Sequence, residues 1–156
     1  MRFMFLSVSQ LKISYPGAAQ AAVDGVTLGL RAGDIGVLIG PSGCGKSTLL
    51  EVLAGLTPVT DGTVMFEDRP IHGDVPDGVG VVFQEDACFP WMTVSDNIAF
   101  GLRQAGIPAA ERAQRVAQAL KDFGLDQRAD HRPDQLSGGQ RQRVALARAL
   151  VSHPGF

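Results

Sequence analysis

Residues 40–47 read Gly-Pro-Ser-Gly-Cys-Gly-Lys-Ser, a spacing suited to holding the phosphates of a nucleoside triphosphate. Gly40, Gly43 and Gly45 let the backbone curl with its N–H groups pointing inward, a nest for anionic oxygens. Pro41, Ser42 and Cys44 fill the loop between them, and Thr48 follows at the start of an expected helix. That helix would add the partial positive charge of its N-terminus. Lys46 is expected to reach the β- and γ-phosphates, and the Ser47 hydroxyl to ligate Mg2+. Cys44 suits the loop as a small side chain; beside Lys46 and a helix N-terminus it also suits a reactive thiol.

A second sequence of the same physical kind follows about a hundred residues later, Leu136-Ser137-Gly138-Gly139-Gln140 ahead of a helix-prone stretch, Arg141 to Val151. Ser137 is a good N-cap, and Gly138 and Gly139 permit close backbone approach. This is another helix N-terminus offering N–H groups to an anion. Two such sites so far apart must serve two ligands, or one ligand from two sides.

The elements that position these residues follow from apolar periodicity. Leu11, Ile13 and Tyr15 alternate with Lys12 and Ser14, predicting an edge strand that ends at a Pro16-Gly17 turn. Residues 1–6 read as its lead-in. Val26, Leu28 and Leu30 predict a second strand ending at Gly33-Asp34. Ile35, Val37, Leu38 and Ile39 predict a short buried strand entering the phosphate loop. The helix after it runs from Lys46 to Leu56 with Leu49, Leu50, Leu53 and Leu56 on one face, closing at Gly55 and Pro58. Thr63 to Phe66 and Val79 to Phe83 predict two further strands. Beyond them the pattern turns helical. Thr93 or Ser95 caps a segment through Ile98, Phe100 and Leu102, ended by Gly106 and Pro108. Ala109 to Phe123 is amphipathic, with Ala113, Val116, Ala117, Leu120 and Phe123 on one face and Gly124 to end it.

Bulk properties suit one soluble, cytosolic domain. The 156 residues carry 14 Lys and Arg against 16 Asp and Glu, a net charge of −2, so no basic surplus points to nucleic acid. The two cysteines, Cys44 and Cys88, match neither a metal-ligand spacing nor a disulfide framework. No apolar stretch approaches the ~20 residues needed to span a bilayer.

On these motifs the chain resembles the ATP-binding cassette (ABC) ATPases along essentially its whole length. Leu136–Gln140 is similar to the family's signature sequence, Gln84 after the Val79–Phe83 strand looks like its Q-loop, and Tyr15 looks like the aromatic that stacks on adenine. The resemblance implies an α/β fold of the P-loop NTPase kind, a RecA-like core with an N-terminal antiparallel β portion and a helical subdomain. It divides this partial domain into a β and phosphate-loop core (1–90), a helical subdomain (91–136) and a signature helix (137–156). ATP and Mg2+ are the implied cofactors, with Ser47 and Gln84 at the metal and Lys46 and Gln84 in catalysis. The implied assembly is a head-to-tail dimer, in which Ser137, Gly138, Gly139 and Gln140 face a γ-phosphate held by the partner's phosphate loop. A transmembrane permease would sit against each subunit, a solute-binding protein would act only indirectly, and the ATPase would lie on the cytoplasmic face of the plasma membrane.

The segment from Phe83 to Val94, with Asn97 to Leu102, is similar to the ATPase subunits of bacterial importers for taurine, other sulfonates and nitrate. Phe89, Pro90 and Trp91 come just after Gln84, where the permease would dock. Trp91 suits such a contact, and equally suits packing beneath the helical region. In one respect the chain departs from the family, which needs a further strand ending in Asp-Glu. No acidic residue follows Gly139, and Glu85-Asp86 are poorly placed as substitutes. A switch histidine is also missing, since His72, His131 and His153 do not match its place. The chain therefore reads as the N-terminal portion of a longer ATPase, incomplete at its C-terminus. By itself it is expected to fold poorly and not to hydrolyse ATP. Two other classes fit less of the sequence. A DNA-repair or translation ATPase would bring twin cassettes, a coiled-coil insertion or a basic face, and a kinase or GTPase would not need Leu136–Gln140. The alternative is a nucleotide-binding module without hydrolysis, which is what this portion by itself offers. Arg141, Arg143 and Arg148 read as a solvated or ion-paired helix face.

Overall fold

The structure is a computed structural model that describes residues 4–84 and 88–152. The chain divides into two compact units, Met1–Asp77 and Gly78–Phe156.

The first unit is built on a four-stranded antiparallel sheet in the order β2-β1-β3-β4. Its strands are β1 (Leu6–Ile13), β2 (Val23–Leu30), β3 (Asp61–Phe66) and β4 (Arg69–Pro70). β1 is an interior strand, not the edge strand expected from the sequence, and Tyr15 lies beyond its end. The burial pattern explains the difference: Leu6, Val8, Leu11 and Ile13 are all buried, and strands pair on both sides. The step from Val8 to Leu11 breaks strict alternation. Gln10 takes up the extra residue at φ 48°, and both ladders shift register there, as a β-bulge requires. Its backbone N–H and its side-chain amide both donate to Thr27 Oγ1 at 3.0 Å. Glu67 and Asp68, both at positive φ, form the two-residue turn between β3 and β4, which the sequence reading did not foresee.

Helix α1 (Lys46–Leu53) follows the phosphate loop, as expected. It buries Leu49, Val52 and Leu53, whereas Leu50 and Leu56, expected on the same face, are exposed. The strands expected at 35–39 and 79–83 are absent from the sheet. A core strand exists only through ladders to its neighbours. Among the described residues none pairs with either run, so both stay irregular, with Ile35, Val37 and Ile39 at 90%, 73% and 91% exposure.

In the second unit, α2 (Val94–Gln104) packs against both α3 (Ala109–Asp122) and α4 (Gly138–Leu150). Val94, Ile98 and Leu102 from α2 meet Val116 and Leu120 from α3 and Val144 and Ala147 from α4, with Leu125 and Leu136 closing the core. Ala113 and Ala117, expected on the buried face of α3, are exposed. The ends of α1, α2 and α3 share one device. Gly55, Gly106 and Gly124 adopt positive φ, and the next residue's N–H returns to the helix, as in Leu125 N to Leu120 O at 2.7 Å.

Thr93, not Ser95, caps α2. Its hydroxyl accepts from Asp96 N at 3.1 Å and donates to Asp96 Oδ2 at 2.9 Å. Replacing Thr93 with Ala is expected to cost about 1 kcal/mol. Urea unfolding would register this as a lower midpoint at unchanged slope; an unmoved midpoint would show the cap to be redundant.

Candidate nucleotide-binding site

All of residues 40–48 and Tyr15 belong to the first unit. The loop is irregular from Gly40 to Gly45, and α1 begins at Lys46. Gly45 is the N-cap, at φ 93° and ψ 6°, a conformation glycine adopts without penalty. A Cβ there would lie 2.1 Å from the carbonyl oxygen of Ala22, so only glycine lets the loop close on the residue leading into β2. The sheet thus fixes where the helix starts.

The start of α1 is chemically open. No side chain caps it and its first turn holds no acidic residue. The first N–H groups of a helix have no partner within it, so those of Lys46, Ser47 and Thr48 are available to an external acceptor. Thr93 and Ser137, by contrast, cap α2 and α4. Lys46 Nζ folds back over the loop, donating to Gly40 O at 2.8 Å and Pro41 O at 2.7 Å, and lies 3.6 Å from Cys44 Sγ. These acceptors are neutral, so the ammonium charge is solvated but not compensated. Uncapped N–H groups, a helix dipole and a cation without a counter-charge together suit a polyphosphate. Ser47 is exposed and available to an Mg2+ ion held against such a phosphate. Bound there, the metal would neutralise charge on the phosphates and tie them to Ser47.

Tyr15 stands beside this loop: its hydroxyl is 3.4 Å from Thr48 Oγ1, and the residue is 46% exposed. The ring is therefore attached to the helix start yet open to a flat partner. Cys44 is exposed, and a Cβ on Gly40 would press on its Sγ at 2.7 Å, so small residues at 40 and 44 accommodate each other.

Gln84 and Ser137–Gln140 belong to the second unit. Gln84 is exposed at a bend, preceded by exposed Val82 and Phe83. Glu85 and Asp86 lie outside the described residues. Ser137 caps α4 through a reciprocal box: its Oγ accepts from Gln140 N at 3.3 Å, while Ser137 N donates to Gln140 Oε1 at 2.8 Å. The hydroxyl uses only acceptor capacity here, which leaves its proton to donate elsewhere. Gly138 and Gly139 both have helical backbone. An added Cβ would meet only Arg141 at 3.8 Å from position 138 and nothing within 4 Å from position 139. Among the described residues no contact demands glycine at either place.

On α4, expected to carry a solvated or ion-paired arginine face, Arg143 is exposed, and the arginines also make contacts within the unit. Arg141 donates to Leu136 O and Arg143 to Phe123 O, each at 2.9 Å, while Arg148 lies 5.0 Å from the centroid of the Phe89 ring. These cations bind carbonyls and an aromatic face within the unit. Trp91 is 66% exposed, its ring 5.6 Å from Phe89, so it is not packed beneath the helices. Sequence reasoning missed Asn97, which organises the loop carrying Trp91. Its only sequence signal was a polar residue among the apolar positions of α2.

A phosphate loop opening an uncapped helix beside an antiparallel sheet defines a P-loop nucleotide-binding protein, and the comparisons specify which. Residues 23–156 match the family model described as ABC transporter, and the chain belongs to that family. It is 45% identical over 150 residues to the taurine import ATP-binding protein TauB of Chromobacterium violaceum, covering 96% of this chain and 57% of that protein. It is 46% identical over 136 residues to the sn-glycerol-3-phosphate import ATP-binding protein UgpC of Rhizobium meliloti, covering 86% of this chain and 39% of that one. The fold matches a dimeric, post-hydrolysis ATP-binding cassette bound to ADP and Pi, at 32% identity and a TM-score of 0.84, over 96% of this chain and 70% of that one. The α/β fold expected for a P-loop NTPase of the ABC kind is therefore established. This chain spans little more than half the length of TauB.

Proposed function

We propose that this chain is part of the ATP-binding subunit of an ABC importer, which couples ATP binding and hydrolysis to uptake of a small solute. The observation that carries the nucleotide reading is the open start of α1 beneath Lys46, whose ammonium binds neutral loop groups and no carboxylate among the described residues. Lys46 holds the β- and γ-phosphates, the N–H groups of residues 46–48 cradle them, Ser47 and Gln84 serve Mg2+, and Tyr15 supports the adenine. Gln84 also places the attacking water.

Ser137, Gly138, Gly139 and Gln140 complete the site of a second subunit in a head-to-tail dimer. Two bare glycines on a helix cost about 1 kcal/mol each relative to Ala. With no close contact among the described residues to require them, approach by another molecule is a physical reason for glycine there. One of the structural matches is a dimer of an ATP-binding cassette bound to ADP and Pi, which supports a paired assembly. A Gly139→Ala substitution tests the assignment. The monomer is expected to gain up to about 1 kcal/mol, while the full-length protein loses ATP-dependent dimerisation, seen by light scattering. A variant that dimerises normally with ATP would remove the signature helix from the site.

The exposed Trp91, with Pro90 and the neighbouring Phe89, is the proposed docking face for a transmembrane permease. No helix among the described residues is long and apolar enough to cross a membrane. The subunit would then lie peripherally on the cytoplasmic face of the membrane, with a solute-binding protein acting through the permease. Taurine or another sulfonate is the proposed solute, on the similarity to TauB. The similarity to UgpC at the same level of identity shows why the solute must be tested directly. Sulfonate-dependent growth of a strain lacking the gene would decide it; growth unaffected on taurine but lost on another solute would reassign the importer.

A further inference from the structure

Among the described residues one polar side chain is completely buried, that of Asn97 near the start of α2. All its side-chain partners lie just before that helix. Oδ1 accepts from Phe89 N at 2.7 Å, and Nδ2 faces Phe89 O at 3.2 Å, Met92 O at 3.2 Å and Thr93 O at 2.9 Å. The carboxamide thus pairs with both backbone groups of Phe89, as a neighbouring strand would, and binds the two carbonyls that follow Trp91. No other side chain of this size does both: an aliphatic group has no polar atoms, and a carboxylate cannot donate to the carbonyls.

The loop so held is anchored by aromatic packing on one side only. Phe89 lies 4.6 Å from the Phe100 ring and beneath Arg148, whereas Trp91 faces solvent. A large ring on an immobilised backbone gives up little conformational entropy when a partner covers it.

We infer that Asn97 is a positioning residue for the Trp91 face: it fixes the loop from Phe89 to Thr93 and presents Trp91 to the membrane partner already ordered. The inference rests on the reading of that face as the docking surface. Asn97 touches neither nucleotide nor partner and acts through the loop backbone.

The test uses the full-length protein, and its first readout is hydrogen exchange at a single amide. In Asn97→Ala the Phe89 amide is expected to exchange about tenfold faster or more, while the amides of Ile98 to Leu102 keep their protection. ATP affinity is expected to stay unchanged. Binding to everted membrane vesicles carrying the cognate permease is expected to weaken about fivefold or more, as in Trp91→Ala, with the double variant no weaker than either single one.

A Phe89 amide as protected as before would overturn the inference, as would loss of protection spread evenly over α2. A double variant whose loss is the product of the two single losses would overturn it too. Should Asn97→Ala fail to fold, Asn97→Ser carries the same test, because a serine hydroxyl can bond its own helix at Thr93 O but cannot span to Phe89. If Trp91→Ala binds the vesicles like the unaltered protein, the docking reading fails, while the exchange result still decides what Asn97 does.

Discussion

Replacing Lys46 with Ala is expected to weaken ATP binding by about one to two orders of magnitude while barely changing the stability of the chain. The affinity term follows from the loss of charge-assisted hydrogen bonds to phosphate, each about 1.5–3 kcal/mol, or roughly ten- to a hundredfold in Kd. The small stability term follows from the surroundings. Lys46 Nζ binds the carbonyls of Gly40 and Pro41 in an exposed loop, and water replaces it there without leaving a buried group unpaired. Titration with a fluorescent ATP analogue and a thermal melt, run on the same samples, separate the two. Lys46→Arg is not expected to rescue binding, because the planar guanidinium needs more room than a loop that closes on Nζ at 2.7–2.8 Å provides. Unchanged affinity in Lys46→Ala would detach the loop from the nucleotide.

The second large effect concerns the fold of the loop itself. Gly45→Ala is expected to lower stability by about 2–4 kcal/mol, through left-handed backbone strain and the forced displacement of the Ala22 carbonyl. That corresponds to a fall in melting temperature of roughly 10 °C. Gly43 provides the control. It too has positive φ, at 81°, but an added Cβ meets nothing within 4 Å. Gly43→Ala should therefore cost only about 1 kcal/mol, from backbone strain alone. Calorimetry on both variants isolates the steric part as the difference. Equal losses would mean that the contact between Gly45 and the residue before β2 contributes nothing.

Much of the site was legible because its motifs are local. A phosphate loop needs a few glycines, a lysine and a helix start within nine residues, and Gly40 to Thr48 contain all of them. The cap at Ser137 and the glycines ending α1, α2 and α3 were readable for the same reason: each satisfies backbone groups two to five residues away. Helix faces were less legible. α1 buries Val52 rather than Leu50, since periodicity defines a stripe but the packing partner selects its centre.

Features that depend on distant partners were missed or misplaced. β1 reads as an edge strand because its sequence carries no record of strands pairing on both sides. The bulge at Gln10 moves the buried positions from 6 and 8 to 11 and 13, a shift visible only once the ladders are formed. Apolar runs at 35–39 and 79–83 have strand composition and yet form no strand among the described residues, because a ladder needs hydrogen bonds from a second segment. The role of Asn97 emerges only where the loop from Phe89 to Thr93 turns back on it.

The sequence by itself determined the local groups this protein can offer, a glycine-rich helix start with its lysine and a second, glycine-bearing helix cap. Both consist of short-range geometry written in consecutive residues. Only the tertiary structure decided which side chains that chemistry uses and which it exposes: Lys46 turned onto its own loop, Gly45 pressed against Ala22, and Trp91 outward on a backbone held by Asn97. Those choices rest on contacts between residues 5 to 23 positions apart, which form only once the intervening chain has turned back. Local propensity does not encode such contacts; packing and hydrogen-bond satisfaction do.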